Sequence, residues 1–131
     1  MEAEKISFID YDFVYYNYRG YDLANFFCQF MGFTVDVTKF PNRDQQRRCI
    51  NSYIFHKLSR DPTEKETQEF YKQINRLSLI CHIFWGVLAV MKSKISSFNL
   101  KEFSRRRFHL FFTNKDSFLR NDGSSEYKYH D

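Results

Sequence analysis

Residues 8–27 read FIDYDFVYYNYRGYDLANFF, and the fold turns on how this stretch is read. Nine of its twenty residues carry rings, yet acids and amides recur among them. The short apolar run over residues 6–13, closed by acids, predicts a strand. Asp10 and Asp12 flank a single residue, so extended backbone puts both carboxylates on one face. Paired carboxylates at a strand end suit Mg²⁺, a hard cation that shares its oxygen ligands with substrate phosphates. Two solvated acids are the plainer alternative. After the tyrosines, Asp22 offers a carboxylate to the free N–H groups of a helix start. Leu23, Phe26, Phe27, Phe30 and Met31 then follow at helical spacing.

The rest of the chain reads as helix. Residues 32–41 form a connection, and Asn42 with Gln45 makes a capping box for a helix reaching about Leu58. Its inward positions are Cys49, Ile50, Tyr53 and Ile54. A break at SRDPT precedes a second capping box, Thr63 with Glu66. That box opens a long helix to about Ser96, with Phe70, Ile74, Leu77, Cys81, Phe84, Trp85 and Leu88 inward. Residues 100–113 predict a last helix with Phe103 and Phe111 inward and Arg105, Arg106 and Arg107 largely outward. From Asn114 the chain turns polar and ends NDGSSEYKYHD, the composition of a disordered tail. The expectation is a mainly α chain with one N-terminal strand or short hairpin. An unpaired strand leaves backbone groups unsatisfied, so it must pair with a segment such as 34–37 or with chain lying outside this sequence.

Composition narrows the function classes. A length of 131 residues fits one domain. With only four Gly and two Pro the chain has few turn punctuators, in keeping with long helices. The net charge of +4 is mild, and no nucleic-acid-binding module accompanies the basic clusters, so nucleic acid is not an expected partner. Cys28, Cys49 and Cys81 lie far apart without a CxxC and read as small buried hydrophobes in a reducing compartment. The four His share no metal-ligand spacing. MEAEKISF lacks the features of a signal peptide. LSLICHIFWGVLAVM, at fifteen residues with a His inside, is short for a transmembrane span and reads as a buried core helix. The expected location is the cytoplasm.

Three blocks carry a resemblance. IDYDFVYYNYRGYDLANFF is similar to the I-D-F/Y-E-Y-x-x-Y-N-Y/F-x-x-F/Y-D-I/L-x-N-H-F stretch of the choline/ethanolamine kinase family. Ile9, Asp10, Tyr11, Tyr16, Asn17, Tyr18, Tyr21, Asp22, Leu23, Asn25 and Phe27 fit in register. INRLSLICHIFWGVLAV resembles the family's N-R/K-F-A-L-A-S-H-F/L-F/L-W-G/A-L-W helix through Asn75, Arg76, Leu79, His82, Phe84, Trp85 and Gly86. RRRFHLFF resembles its closing R-F-x-x-Y-F. The three occur in order across residues 6–113, and the compact QFMGF with the TEKETQEFYKQINRL approach looks closer to the ethanolamine kinases.

The resemblance implies the helical C-terminal lobe of a protein-kinase-like α+β fold over residues 1–113. It implies transfer of the γ-phosphoryl of ATP to the hydroxyl of ethanolamine or choline, with ATP and Mg²⁺ as cofactors, in phospholipid synthesis. Asp10 falls at the family's metal-binding Asp, which holds Mg²⁺ against the phosphates. Asp12 stands where the family has Glu. Asn17, Arg19, Asp22 and Asn25 fall at positions that support the site. The amino-alcohol pocket, where a cation meets aromatic faces, falls on Phe13, Gln29, Trp85, Leu88, Leu100 and Phe103. Gln29 replaces an acid there, Leu88 a second Trp, and Phe13 and Phe103 stand in for Tyr; Phe26 also replaces the motif's His.

The family's H-x-D-x-x-x-x-N catalytic loop lies just upstream of the I-D block, and in this sequence only MEAEKISFI precedes Asp10. The expectation is therefore a chain without the catalytic Asp loop and the ATP-binding lobe, inactive alone because such residues act as a unit. An alternative is a non-catalytic module that binds an intact kinase subunit, as a homo- or hetero-dimer. A gene read without its upstream part is another.

Overall fold

The structure, a computed structural model, describes residue 7 and residues 9–120. Four helices form it: α1 (Arg19–Gln29), α2 (Arg43–Leu58), α3 (Glu64–Lys92) and α4 (Leu100–Leu119), with a 3₁₀ turn at Val37–Lys39 between the first two. The mainly α expectation holds. The expected strand does not form among the described residues of 6–13. Asp10 takes a left-handed φ of 64°, and Val14 N–H bonds Tyr11 C=O at 3.0 Å in a turn. A strand is held by a ladder to a neighbour, and the described residues include no strand that could provide one. Tyr11, Phe13, Tyr15, Tyr16 and Tyr18 are exposed.

Helix α1 starts three residues before the expected Asp22. Tyr18, in extended backbone, precedes it, and the Asn17 carboxamide oxygen accepts the Tyr18 N–H at 2.7 Å. Its inner face is Gly20, Ala24, Phe27 and Cys28, a helical stripe laid against α3. At Gly20 the two helices approach so closely that a Cβ would stand 2.9 Å from Leu77 Cδ1.

Both capping boxes form. Asn42 and Gln45 satisfy each other's backbone N–H groups at the start of α2, and Thr63 and Glu66 do so at the start of α3. Each satisfied cap contributes about 1 kcal/mol. Helix α2 ends at Leu58, as expected, where Ser59 turns left-handed at φ 54°. Ile50 and Ile54 are buried, and Cys49 and Tyr53 half-buried.

Helix α3 is the centre of the fold. It is long and apolar enough to cross a membrane by length and composition. Its inner positions are instead buried against α1, α2 and α4: Phe70, Tyr71, Ile74, Leu79, Cys81, His82, Gly86 and Ala89. It ends at Lys92, short of the expected Ser96. Contacts of Gly86 with Ser104, His82 with Arg107 and Arg76 with Phe118 run in opposite senses along the two chains, so α3 and α4 are antiparallel. At Gly86 the absent side chain admits the Phe108 ring, whose Cε1 would lie 2.9 Å from a Cβ.

Helix α4 begins at Leu100 with Asn99 as its cap, the side-chain oxygen accepting the Glu102 N–H at 3.2 Å. It differs from expectation twice. It continues six residues past Thr113, because Asn114 and Phe118 are buried on the same stripe as Phe103, Arg107 and Leu110. Arg107, expected outward with its neighbours, is buried. The expected polar tail beyond residue 120 lies outside the described residues.

Candidate functional site

The site is built where α1 and α3 meet the segment before α1. Phe13 sets its ring 5.9 Å from Phe84 and 6.2 Å from Trp85, while Phe84 and Trp85 stand 5.4 Å apart. All three pairs are edge-to-face, the arrangement that the ring quadrupole favours. Phe13 contributes from irregular backbone, so the missing strand does not prevent its ring from reaching the α3 aromatics.

The Trp85 indole Nε1–H donates to Asn25 Oδ1 at 2.7 Å, across sixty residues of sequence. Gln29, one turn further along α1, donates from Nε2 to the same oxygen at 3.1 Å. Four residues marked in the sequence, Phe13, Asn25, Gln29 and Trp85, are thus joined. Asn25, expected in a supporting role around the site, is the residue that links the other two polar groups.

Two other pocket residues lie on a separate recess of about 270 Å³. Leu100 and Phe103 line it with Phe33 and Phe98, whose rings stack at 5.0 Å and 1°. Its rim is polar: Arg106 donates to Thr34 C=O at 2.7 Å and to Glu102 at 2.7 Å. Hydrogen bonds from Arg105 and Arg106 pull the Glu102 carboxyl down to about 2. Leu88 is half-buried on α3, three residues beyond Trp85. Phe33 and Phe98 were missed in the sequence because both lie in loops, where no helical period marks them.

The core between α1, α3 and α4 holds a buried charge. The Arg107 guanidinium lies 3.4 Å from His82 Nδ1, donates to the Cys28 carbonyl at 3.5 Å and covers the Phe103 ring at 4.9 Å. It so touches all three helices that carry site residues. Burial, and then the neighbouring Arg107 charge, push the His82 imidazole down to about 3, so it is neutral at physiological pH.

The remaining marked residues are not gathered here. Arg19 lies over the Phe70 ring at 5.2 Å. Asp22 is exposed in the first turn of α1, and Asn17 is spent on the Tyr18 N–H. Asp10 and Asp12 are exposed on the irregular segment. Two carboxylates have the donor chemistry for Mg²⁺. The extended backbone that would put them on one face is absent, however, and no group of three acids, His or Cys forms among the described residues. These residues do not by themselves fit a metal.

The choline/ethanolamine kinase family model matches residues 1–112. This chain belongs to the choline/ethanolamine kinase family. Among its relatives are a probable ethanolamine kinase A of Dictyostelium discoideum, 32% identical over 86% of this chain and 33% of that protein, and ethanolamine kinase 1 of Mus musculus, 34% identical over 84% of this chain and 32% of that protein. Choline kinase alpha of Mus musculus is 32% identical over 87% of this chain and 29% of its own length. The chain therefore spans about a third of the curated relatives it matches. No solved structure matches it. Members of the family act on ethanolamine or choline, and family membership implies ATP and Mg²⁺ in general.

Proposed function

We propose that this chain supplies the amino-alcohol-binding wall of an ethanolamine kinase, a cytoplasmic enzyme that phosphorylates the hydroxyl of ethanolamine with ATP. The observation that carries the reading is the Phe13–Phe84–Trp85 aromatic corner tied by Asn25 to the end of α1. A cation is attracted to the faces of Trp and Phe rings, by about 1–2 kcal/mol where water is excluded. The carboxamides alongside can accept or donate hydrogen bonds but bring no charge. Phosphoryl transfer needs more: a loop over the phosphates, a Lys on them and an Asp on the nucleophile. By family resemblance these belong to the two thirds of the relatives' length that this chain does not span.

The purified 131-residue chain is expected to bind ethanolamine yet form no phosphoethanolamine with ATP and Mg²⁺ above an Asp10→Ala control. Calorimetry with ethanolamine reads the first property and a phosphoethanolamine assay the second. Absence of binding would overturn the pocket assignment, and Asp10-dependent turnover would overturn the division of labour.

A second reading rests on the exposed apolar face of α3, made by Ile80, Val87, Val90 and Met91. In it the chain docks on an intact kinase subunit and does not itself bind substrate. Co-elution with a full-length relative and loss of that co-elution in Val87→Lys would favour it.

A further inference from the structure

Helices α1 and α3 run in the same direction, since Gly20 meets Leu77 and Asn25 meets Trp85, and α4 returns antiparallel to α3. The C-terminal ends of α1 and α3 and the start of α4 therefore share one end of the molecule. Large apolar side chains are exposed there: Phe30 at the close of α1, Phe33 just after it, and Ile95 and Phe98 in the turn from α3 to α4. Phe33 and Phe98 stack face to face at 5.0 Å, which ties the two turns together. Ile95 is 79% exposed, so nothing in this chain covers it. The charge at this end is one-sided. Asp36 and Glu102 are already paired, with Lys39 and with Arg105 and Arg106. Residues 70–101 contain no acid, and Lys92, Lys94 and Lys101 are exposed around the apolar turn.

We propose that this end of the molecule binds the surface of an anionic lipid bilayer, with Ile95, Phe98 and Phe30 entering the interface and Lys92, Lys94 and Lys101 on the headgroups. The inference goes beyond the amino-alcohol reading and does not depend on it. Exposed apolar side chains gathered at one place mark a surface that something else covers. The charge identifies the cover. A Lys can lay its methylenes along the acyl boundary and keep its ammonium at the phosphates, and each one adds attraction to an anionic leaflet. A second copy of this end would bring the same excess of Lys against it, and like charges oppose that pairing. The apolar side chains also come from two separate turns. A fluid bilayer receives such side chains one by one, whereas a folded partner would need a groove cut to match them.

The test is co-sedimentation of the full chain with vesicles of phosphatidylcholine alone and of phosphatidylcholine with phosphatidylserine at about three to one, the anionic content of a cytoplasmic leaflet. The chain is expected to bind the anionic vesicles, to leave the neutral ones, and to be released by about 0.5 M sodium chloride, which screens the attraction. Ile95→Ser should weaken binding at least about tenfold through lost apolar burial. Lys92→Gln/Lys94→Gln/Lys101→Gln should weaken it about a hundredfold, the sum of three Lys at an anionic surface. Lys57 and Leu58 line a recess with Arg19 at the opposite end of the molecule, and Lys57→Gln/Leu58→Ser should bind as the unsubstituted chain does. Circular dichroism checks that each variant keeps its helices. Binding to neither vesicle, or to both alike, overturns the proposal. A loss in Lys57→Gln/Leu58→Ser as large as that in Ile95→Ser also overturns it, because binding then follows overall basic charge. Co-elution with a full-length relative that Ile95→Ser abolishes, in a chain that leaves vesicles unbound, assigns this end to a protein partner and overturns it as well.

Discussion

His82 and Arg107 meet inside the protein with 3.4 Å between imidazole Nδ1 and guanidinium, and the burial of this imidazole makes the fold sensitive to acid. The imidazole lies at about 3 when folded, against 6.5 as its ordinary value, with burial the larger cause. Between those values the unfolded chain holds a proton that the folded chain refuses. Stability is therefore complete above about pH 6.5 and falls as pH drops toward 3, by on the order of 4 kcal/mol across the window. His82→Gln, which keeps a polar group without a titration there, should flatten urea stability curves measured from pH 7 to pH 4. Parallel curves for the two proteins would remove His82 from the account. Arg107 could have been placed from the sequence. Phe103, Arg107, Leu110 and Asn114 follow the helical period, but the RRR run reads as a solvated face because its charge outweighs its spacing. Asn25 was legible only as part of a motif, since its partner lies sixty residues away.

At the scale of elements, the sequence signals that worked were local and chemical. The N42–Q45 and T63–E66 boxes marked two helix starts to the residue, because capping depends on side chains three positions apart. The strand over residues 6–13 was not legible, because a strand exists only with a partner and its apolar residues describe a surface to be covered, not a backbone state. The end of α4 misled for the opposite reason. Asn114 and Lys115 look like the start of a polar tail, yet Asn114 is fully buried and donates to Leu110 C=O at 2.9 Å, and Phe118 closes the core four residues on. Phe118→Ala should lower unfolding free energy by about 3 kcal/mol. A loss of under half a kilocalorie in chemical denaturation, the range of ordinary surface substitutions, would return this turn to the tail.

Over the whole molecule, the antiparallel α3–α4 pair and parallel α1 form a frame whose core lies on one side of α3 and whose aromatic corner opens at the junction with the irregular segment. The family was visible in three ordered blocks, and the model match over residues 1–112 bears that reading out. The residues marked in the sequence come together in part. Residues on α1 and α3 came together because their spacing along each helix fixed their faces, whereas Leu100 and Phe103 went to a second recess that the loop aromatics Phe33 and Phe98 complete. The central claim is that the Trp85 corner receives an amino alcohol. The chain has one tryptophan and hence one indole N–H resonance in an ¹H–¹⁵N spectrum, a direct report from the hydrogen bond to Asn25. Titration with ethanolamine should move that resonance saturably, and the same titration of Phe13→Ala should need a higher concentration for the same displacement. An indole resonance that stays in place while ethanolamine rises to saturating levels would contradict the account.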